Sequence, residues 1–226
     1  MSDLQERYRE VCEQISEAVS AAGRSSSEVE LVVISKNHPA DLVRELYSLG
    51  HRNFGENRDQ EARPKAEATA ELEGIRWHFV GQLQSNKVKS ALTYSNFLHS
   101  IDRDSLLNAL RRELSESQRT LGGFIQLNLT DDPGRGGIAP ADVRHFAEAA
   151  LGLPNFDLLG VMGVAALDRD PRIDFETIAQ ASKALLEVAP AAKFISAGMS
   201  HDFREAIEFG ATHLRIGTAI TGNRNL

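Results

Sequence analysis

Residues 31–50 read LVVISKNHPADLVRELYSLG, and this stretch predicts one complete strand-and-helix unit. Its first four residues are apolar and mostly β-branched, which is typical of a strand buried on both faces of a parallel sheet. From Pro39 onward the apolar residues recur every three or four positions, which indicates an amphipathic helix that begins with a proline. Gly50 follows the last of these residues, at the position where a glycine commonly ends a helix.

The same alternation of strand and helix patterns continues along the chain. Seven further segments predict strands, at residues 53–55, 77–80, 97–99, 123–128, 158–161, 193–196 and 213–216. Helical patterns fill most of the intervals between them. A separate amphipathic helix precedes the first strand, with apolar residues at helical spacing at Leu4, Tyr8, Val11, Ile15 and Val19. The chain therefore contains about eight predicted strands, most of them separated by a helix.

We expect an α/β fold, a single (βα)8 TIM barrel with an extra N-terminal helix, formed as one domain over residues 1–226. Such a barrel typically needs about 250 residues, slightly more than the 226 present here. A doubly wound open sheet is the alternative. The barrel is favoured because the strand count reaches eight and no GxGxxG motif opens the first unit. Because little chain follows the last strand, we expect the N-terminal helix to cover the position of a full final helix.

The composition excludes several classes of protein. The net charge of −7 gives no support for a broad contact with nucleic-acid phosphates. No apolar run approaches the ~20 residues that span a bilayer, so no membrane segment is predicted. Cys12 is the single cysteine, which excludes an internal disulfide and a cysteine-based zinc cluster. We expect a cytoplasmic protein without a metal, and a monomer, since a closed barrel has no exposed sheet edge.

Lys36 directly follows the first predicted strand, and the functional residues of a βα barrel lie at the carboxyl ends of its strands. Apolar barrel walls disfavour the charged ammonium, and a neutral amine can attack an aldehyde to form a Schiff base. The alternative interpretation is a strand-end lysine that reaches solvent or pairs with Glu56.

Small and hydroxyl-bearing residues follow the last two predicted strands, at 198–200 and 217–218. We expect Ser200 to cap the next helix, whose first N–H groups favour an anion, and Gly217 and Thr218 to form a second close-approach loop. Phosphate sites after strands 7 and 8 recur in this architecture. Alternatively, Ser200 only caps its helix and Gly217 only forms a turn. Because strands 1 and 8 are neighbours in a closed barrel, Lys36 and both loops together suit an aldehyde that carries a phosphate.

Arg215 lies on the eighth predicted strand, beside these loops. Its guanidinium is permanently charged and only donates hydrogen bonds, so it could hold a ring nitrogen unprotonated and weaken the ring as an electron sink. The alternative is an ion pair with Asp202 or Glu208.

Five separated motifs make the sequence similar to a known family. They read LVVISKNHP (31–39), RNFGENRDQEA (52–62), WHFVGQLQSNK (77–87), LHSID (98–102) and SAGMSHDFREAIEFGATHLRIGTAITG (196–222). Together, and in this order, they resemble the pyridoxal-phosphate homeostasis protein family, also known as the YggS or PROSC family. The resemblance runs from about residue 31 to residue 222, which is most of the chain.

The resemblance implies a barrel like that of fold-type III pyridoxal-phosphate enzymes and of the N-terminal domain of alanine racemase. It implies pyridoxal 5′-phosphate (PLP) as the cofactor, held as a Schiff base on Lys36. Ser200, Gly217 and Thr218 would hold the phosphate, and Arg215 would face the pyridine nitrogen.

Further positions of the family motifs imply weaker or less defined roles. Asn57 would lie near the cofactor ring, and His78, Ser196 and Met199 would line the pocket. Family members often carry a second basic residue two places after the Schiff-base lysine. That place is His38 here, so the chain departs from the family pattern at a position that would help to exchange or retain the cofactor.

The family is known for handling the vitamin rather than for turnover, so we expect intracellular buffering or delivery of PLP and assign no catalytic residue. The expected partners are PLP and apo forms of PLP-dependent enzymes. Tyr8, Tyr47 and Tyr94 fall in or beside helices, so an opposite-face proton donor is not expected. Two alternatives remain, a low-activity PLP-dependent amino-acid racemase and a phosphate-sugar aldolase that uses Lys36 without a cofactor.

Overall fold

The computed structural model describes residues 2–130 and 132–222, and it contains a closed barrel of parallel strands in chain order. The strands are β1 (Glu30–Ile34), β2 (Asn53–Glu56), β3 (Arg76–Phe79), β4 (Phe97–Ile101), β5 (Leu121–Gln126), β6 (Phe156–Met162), β7 (Phe194–Ser196) and β8 (His213–Ile216). β1 pairs in parallel with both β2 and β8, which closes the ring. The predicted TIM barrel is confirmed, and the open sheet is excluded.

Helices follow most of the strands and form the outer layer of the barrel. They are α1 (Asp3–Ala21), α2 (Ala40–Ser48), α3 (Asp59–Ala68), α4 (Val88–Ala91), α5 (Asp104–Ser115), α6 (Val143–Leu151), α7 (Pro171–Leu186), α8 (Phe203–Glu208) and α9 (Thr218–Thr221). The predicted single domain spans residues 1–226, of which Met1, Asp131 and residues 223–226 lie outside the described part of the chain.

The first βα unit shows how local sequence produces this arrangement. Val32 and Val33 point to opposite faces of β1 and both are fully buried, one face toward the barrel interior and one toward the helices. Val43 and Leu46 bury the inner face of α2. Gly50 follows the helix with φ of +93°, a conformation that strains residues with a Cβ atom, so a glycine there ends the helix.

α1 covers the barrel wall beside β8, as predicted for the N-terminal helix. Its buried residues Leu4, Val11, Ile15 and Val19 join the core, and the helix contacts both α8 and α9. The Arg7 side chain donates a hydrogen bond to the carbonyl oxygen of Ile220 at 2.8 Å. Because α9 spans only four residues, α1 supplies the apolar surface that a longer final helix would have provided.

The barrel interior contains a cluster of histidine and phenylalanine rings. The His78 ring stacks on Phe97 at 4.5 Å between centroids, and the His99 ring lies 4.5 Å from Phe124. His213 packs edge-on against Phe124 at 5.2 Å. Since these residues come from β3, β4, β5 and β8, their contacts cross the inside of the ring, and polar atoms therefore lie within the core.

Candidate binding site at the barrel mouth

Lys36 lies one residue beyond the end of the β1 ladder, at the carboxyl end of the barrel. The ladder continues through Ser35, whose N–H donates to the Gly55 carbonyl oxygen at 3.0 Å. A turn then begins, with Asn37 at φ of +62°, and the Asn37 N–H donates to Glu61 Oε2 at 3.0 Å. Lys36 is half-buried in this turn, and its amine forms no hydrogen bond or ion pair with the residues that the structure describes.

The alternative in which Lys36 pairs with Glu56 is wrong, because Glu56 has other partners. Glu56 Oε1 accepts hydrogen bonds from the Lys65 ammonium and from Ser35 Oγ at 2.7 Å. Lys65 Nζ also donates to the Ser35 carbonyl oxygen at 2.8 Å. Burial raises the pKa of the Glu56 carboxyl, and the Lys65 ammonium opposes that shift. The buried pair joins α3 to the end of β1 and leaves the amine of Lys36 without a carboxylate partner.

Sequence reasoning missed Lys65, although a signal was present. The inner face of α3 buries three residues that lie three positions apart, Asp59, Ala62 and Lys65. A lysine on the same helix face as a buried alanine can indicate a buried ion pair.

The loops after β7 and β8 contact each other at the rim of the barrel. The Ser200 hydroxyl accepts from the Ala219 N–H at 3.4 Å and from Thr218 Oγ1 at 3.4 Å. Both contacts are long for hydrogen bonds, so the two hydroxyls can reorient toward a ligand. Gly217 lies against β1, where an added Cβ would come within 3.3 Å of the Ile34 Cβ. The two loops therefore lie on the same rim as Lys36.

The expectation that Ser200 caps the next helix is wrong. α8 begins at Phe203 and its N-cap residue is Asp202. The Asp202 carboxylate accepts the Met199 N–H at 2.6 Å, a charge-assisted hydrogen bond within the turn that precedes the helix. Ser200 is thereby left to contact the loop after β8, and Met199 is half-buried beside it.

Gly198 makes this turn possible. It has φ of +89°, and an added Cβ would lie 2.8 Å from the Ala206 Cβ on α8. The loop backbone can approach both the helix and the barrel mouth because no side chain intervenes.

Arg215 is buried at the barrel mouth and held by two acceptors. Its Nη1 donates to Ser196 Oγ at 2.5 Å, and its Nη2 donates to the Gly163 carbonyl oxygen at 2.9 Å. Burial lowers the pKa of the guanidinium to about 10, and the charge of Asp202 opposes the shift, so Arg215 stays protonated at neutral pH. The ion-pair alternative is wrong, because Arg215 forms none with Asp202 or Glu208 within the described residues.

Two buried histidines lie behind Arg215. Ser196 Oγ and His99 Nδ1 are 2.8 Å apart, and His99 Nε2 lies 3.0 Å from His78 Nδ1. Burial lowers the pKa of both imidazoles well below the usual value for histidine, so both are neutral. Sequence reasoning named His78 as a pocket residue, whereas it placed His99 at the end of the fourth predicted strand and gave it no role.

A neighbouring cleft of about 970 Å³ opens at the same end of the barrel, between the loops after β2, β3 and β4. Asn57, Gln82, Lys87 and Arg103 line it. Asn57 is half-buried there, and its backbone lies so close to Gly81 that an added Cβ would be 2.2 Å from the Asn57 oxygen. Asn57 lines this cleft, whereas Lys36, Ser200 and Arg215 do not.

The tyrosines lie where the sequence predicted them. Tyr8 is in α1, Tyr47 is in α2, and Tyr94 follows α4, where its hydroxyl donates to Asp59 Oδ1 at 3.3 Å. The described residues hold no cluster of histidine, cysteine or carboxylate side chains that suits a metal ion. Nor do they include a helix with the length and apolarity to cross a bilayer.

Comparison with known proteins adds three findings. The family model described as "Alanine racemase, N-terminal domain" matches residues 12–225. Curated relatives named pyridoxal phosphate homeostasis protein include one from Pseudomonas aeruginosa, which is 36% identical over 100% of this chain and 97% of the relative. Another, from Escherichia coli, is 35% identical over 100% of this chain and 98% of the relative. A solved structure, PipY of Synechococcus elongatus with PLP bound, is 34% identical with a TM-score of 0.81, covering 92% of this chain and 100% of that one.

Proposed function

The chain belongs to the pyridoxal phosphate homeostasis protein family, and from that premise we propose that it binds PLP at the barrel mouth through Lys36. The observation that carries the proposal is the amine of Lys36, which lies just beyond the end of β1 and has no partner among the described residues. β1 is paired with β8, whose following loop contacts Ser200. The amine of Lys36, the residues proposed to hold the phosphate and Arg215 thus share one rim.

The covalent link is a Schiff base between Lys36 and the aldehyde of PLP. The amine nitrogen adds to the aldehyde carbon, and the carbonyl oxygen leaves as water. An unpaired amine suits this reaction, since no carboxylate has to be displaced before the nitrogen lone pair can attack.

The residues of the two rim loops fit the phosphate group. Ser200 and Thr218 supply hydroxyl donors, and the Gly217 backbone approaches β1 closely because it has no side chain. Gly198 leaves space where a Cβ would press on α8. Hydrogen bonds from these groups to a charged phosphate contribute roughly 1.5–3 kcal/mol each.

Arg215 suits the pyridine nitrogen of the cofactor, because a guanidinium donates hydrogen bonds and cannot accept them. PLP supplies an aldehyde that captures amines and a ring that withdraws electrons when its nitrogen is protonated. A ring nitrogen that accepts from Arg215 carries no proton, which weakens electron withdrawal. This favours retention of the cofactor over turnover of amino acids.

The remaining site residues have supporting roles in the proposal. Asn57 borders the ring, Met199 borders the phosphate loop, and Ser196 holds Arg215. His78 is 1% exposed and reaches the site only through His99 and Ser196, so it contributes indirectly.

We further propose that the protein buffers PLP and delivers it to apo forms of PLP-dependent enzymes, as a cytoplasmic monomer. The half-buried position of Lys36 supports delivery, because an amine of an incoming acceptor can reach a group held at an open rim. His38, two residues after Lys36, lies in the same turn.

The proposal is tested by adding PLP to the purified protein, reducing with borohydride and mapping the modified lysine by mass spectrometry. We expect a visible absorption band before the reduction and a single adduct on Lys36 after it, and both should be absent in Lys36→Ala. Lys87→Ala is the matched control, because Lys87 is another half-buried lysine at this end of the barrel, and it should retain both signals. An adduct on another lysine, or no uptake of PLP, contradicts the proposal.

An amino-acid panel with chiral detection separates a carrier from a racemase. We expect no turnover above that of free PLP. Turnover well above that level, lost in Lys36→Ala, would show a racemase instead. A colourless protein that takes up no PLP but cleaves phosphate sugars would show the aldolase.

A further inference from the structure

A continuous chain of hydrogen bonds crosses the barrel interior, from the mouth to the opposite rim. We call it the interior polar chain; it consists of Arg215, Ser196, His99, His78, Asn53 and Glu30. Successive partners are separated by 2.5, 2.8, 3.0, 3.1 and 2.6 Å. Arg215 lies at the carboxyl end of the strands, whereas Glu30 is the first residue of β1. The chain therefore connects the candidate cofactor site with the opposite end of the barrel.

The direction of each hydrogen bond follows from Arg215, which can only donate. Ser196 Oγ must accept from Arg215 Nη1, so its single hydroxyl proton is available for His99 Nδ1. A neutral His99 that accepts at Nδ1 carries its proton on Nε2. That proton is then donated to His78 Nδ1.

The opposite end gives the same result independently. The carboxylate of Glu30 only accepts, so the Asn53 amide nitrogen must face it and Asn53 Oδ1 faces His78. His78 therefore donates from Nε2 and accepts at Nδ1. Both directions assign the same tautomer to His78, and every donor in the chain meets an acceptor.

The surroundings favour this single arrangement. His78 and His99 are 1% and 0% exposed, so neither exchanges partners with water. Glu30 also accepts from Arg76 and lies 3.4 Å from His213 Nε2, which holds its carboxylate in place. A positive guanidinium at one end and a negative carboxylate at the other favour protons that all point from Arg215 toward Glu30.

We propose that His99 and His78 are positioning residues that, by holding Ser196 as an acceptor, keep the Arg215 guanidinium oriented at the barrel mouth. The role of Arg215 toward the cofactor rests on the proposed function, whereas the tautomers do not. If His99 offered no acceptor, the Ser196 hydroxyl proton would lose its partner and could turn toward Arg215. The guanidinium would then lose one of its two anchors and leave its orientation.

Two substitutions separate positioning from packing. His99→Asn keeps an acceptor oxygen near the place of Nδ1 but loses the ring that packs on Phe124. His99→Phe keeps a ring and loses the acceptor. If His99 only packs, the asparagine variant should be the more damaged. If His99 positions Arg215, the phenylalanine variant should retain PLP about tenfold less well and shift its absorption band, while the asparagine variant stays close to the parent.

Ser196→Ala is the second variant, because it removes the link without a large change in core volume. It should reproduce the spectral shift of His99→Phe even where that variant folds poorly. A parent-like spectrum and affinity in Ser196→Ala would overturn the proposal.

NMR of the imidazole nitrogens in the cofactor-free protein tests the tautomers without reference to PLP. We expect both His78 and His99 to carry their proton on Nε2. A proton on His99 Nδ1 would overturn the proposal whether or not PLP binds. Conversely, a protein in which both histidines carry the proton on Nε2 but which takes up no PLP would overturn the proposed function. The hydrogen-bond directions of the interior polar chain would still be supported.

Discussion

The ammonium of Lys65 lies 2.8 Å from the backbone carbonyl oxygen of Ser35, the residue directly before Lys36. A buried helix lysine therefore holds the backbone from which the candidate Schiff-base lysine projects. Because Lys65 also pairs with Glu56, the end of β1, the end of β2 and the inner face of α3 are joined by one cluster. The position of Lys36 depends on this cluster, which leads to the first prediction.

Lys65→Met should destabilise the protein by about 3–5 kcal/mol, because it leaves the buried Glu56 carboxylate unpaired. Urea unfolding measures the loss. Lys89→Met, at an exposed position on α4, is the matched control and should change stability by less than about 0.5 kcal/mol. Adding Glu56→Leu to Lys65→Met should restore part of the lost free energy of unfolding. If the losses of the two single variants simply add in the double variant, the two residues are not a coupled pair.

Ser200→Ala combined with Thr218→Ala should weaken PLP retention by at least about 100-fold, because two hydroxyl donors to the phosphate are lost. The fold should remain intact, since Ser200 lies in a rim loop and Thr218 is an exposed residue at the start of the short helix α9. Thr93→Ala, which removes an exposed hydroxyl elsewhere, serves as the control in a fluorescence titration with PLP. Unchanged affinity in the double variant would place the phosphate at another site.

Gly198→Ala should destabilise the protein by roughly 1–3 kcal/mol, since alanine disfavours φ of +89° and its Cβ would press on Ala206. Gly152→Ala is the matched control. Gly152 has φ of −81°, and an added Cβ there would meet only the Ala149 oxygen at 3.6 Å. Thermal unfolding of both variants should show a clear loss for the first and little change for the second. Equal midpoints would argue against strain at Gly198.

Stability should fall as the pH drops below about 6.5, because four buried histidines resist protonation. Burial lowers the pKa of His51 and of His213 to about 4, and the pKa of His78 and of His99 well below the usual value. The unfolded chain binds these protons from about pH 6.5 downward, while the folded protein does not. The stability is therefore fully present above the unfolded pKa of about 6.5 and decreases as the pH falls toward about 4, by up to 1.4 kcal/mol per pH unit for each histidine.

Urea unfolding at a series of pH values between about 7 and about 5 measures this slope. His213→Gln should reduce the slope by the contribution of about one proton taken up on unfolding. His145→Gln, at an exposed position, is the control and should leave the slope unchanged. A flat profile in this range would show that the folded protein and the unfolded chain bind equal numbers of protons, so that folding does not lower the pKa of these imidazoles.

Local patterns were sufficient to predict the barrel. Strands such as β1 contain a short apolar run, and the longer helices bury one face at a period of about 3.6 residues, so both elements are visible within a few neighbouring residues. The strand boundaries differ from the prediction by one or two residues, for example at β3, which ends at Phe79 rather than Val80. Such ends depend on the ladder hydrogen bonds of the neighbouring strand and not on side-chain pattern alone.

The candidate site was predicted only in part. Lys36, Gly217 and Thr218 could be placed at one rim because they follow the ends of strands, and in a barrel every strand ends at the same rim. Ser200 was chosen as a helix cap, and that reason is wrong, since Asp202 is the N-cap residue of the helix. The partners of Lys65 and of His99 were not predicted, because a charged or polar residue inside a buried segment shows no partner in its own neighbourhood.

By itself, the sequence determined that the chain forms eight βα units and which amine and which hydroxyls stand at the strand ends, because these features depend on neighbouring residues. Only the tertiary structure decided that Ser196 of β7 lies between His99 of β4 and Arg215 of β8. Closure of the ring brings these distant segments together in the buried interior. There, the guanidinium of Arg215, which only donates, and the carboxylate of Glu30, which only accepts, set the direction of every hydrogen bond in the interior polar chain.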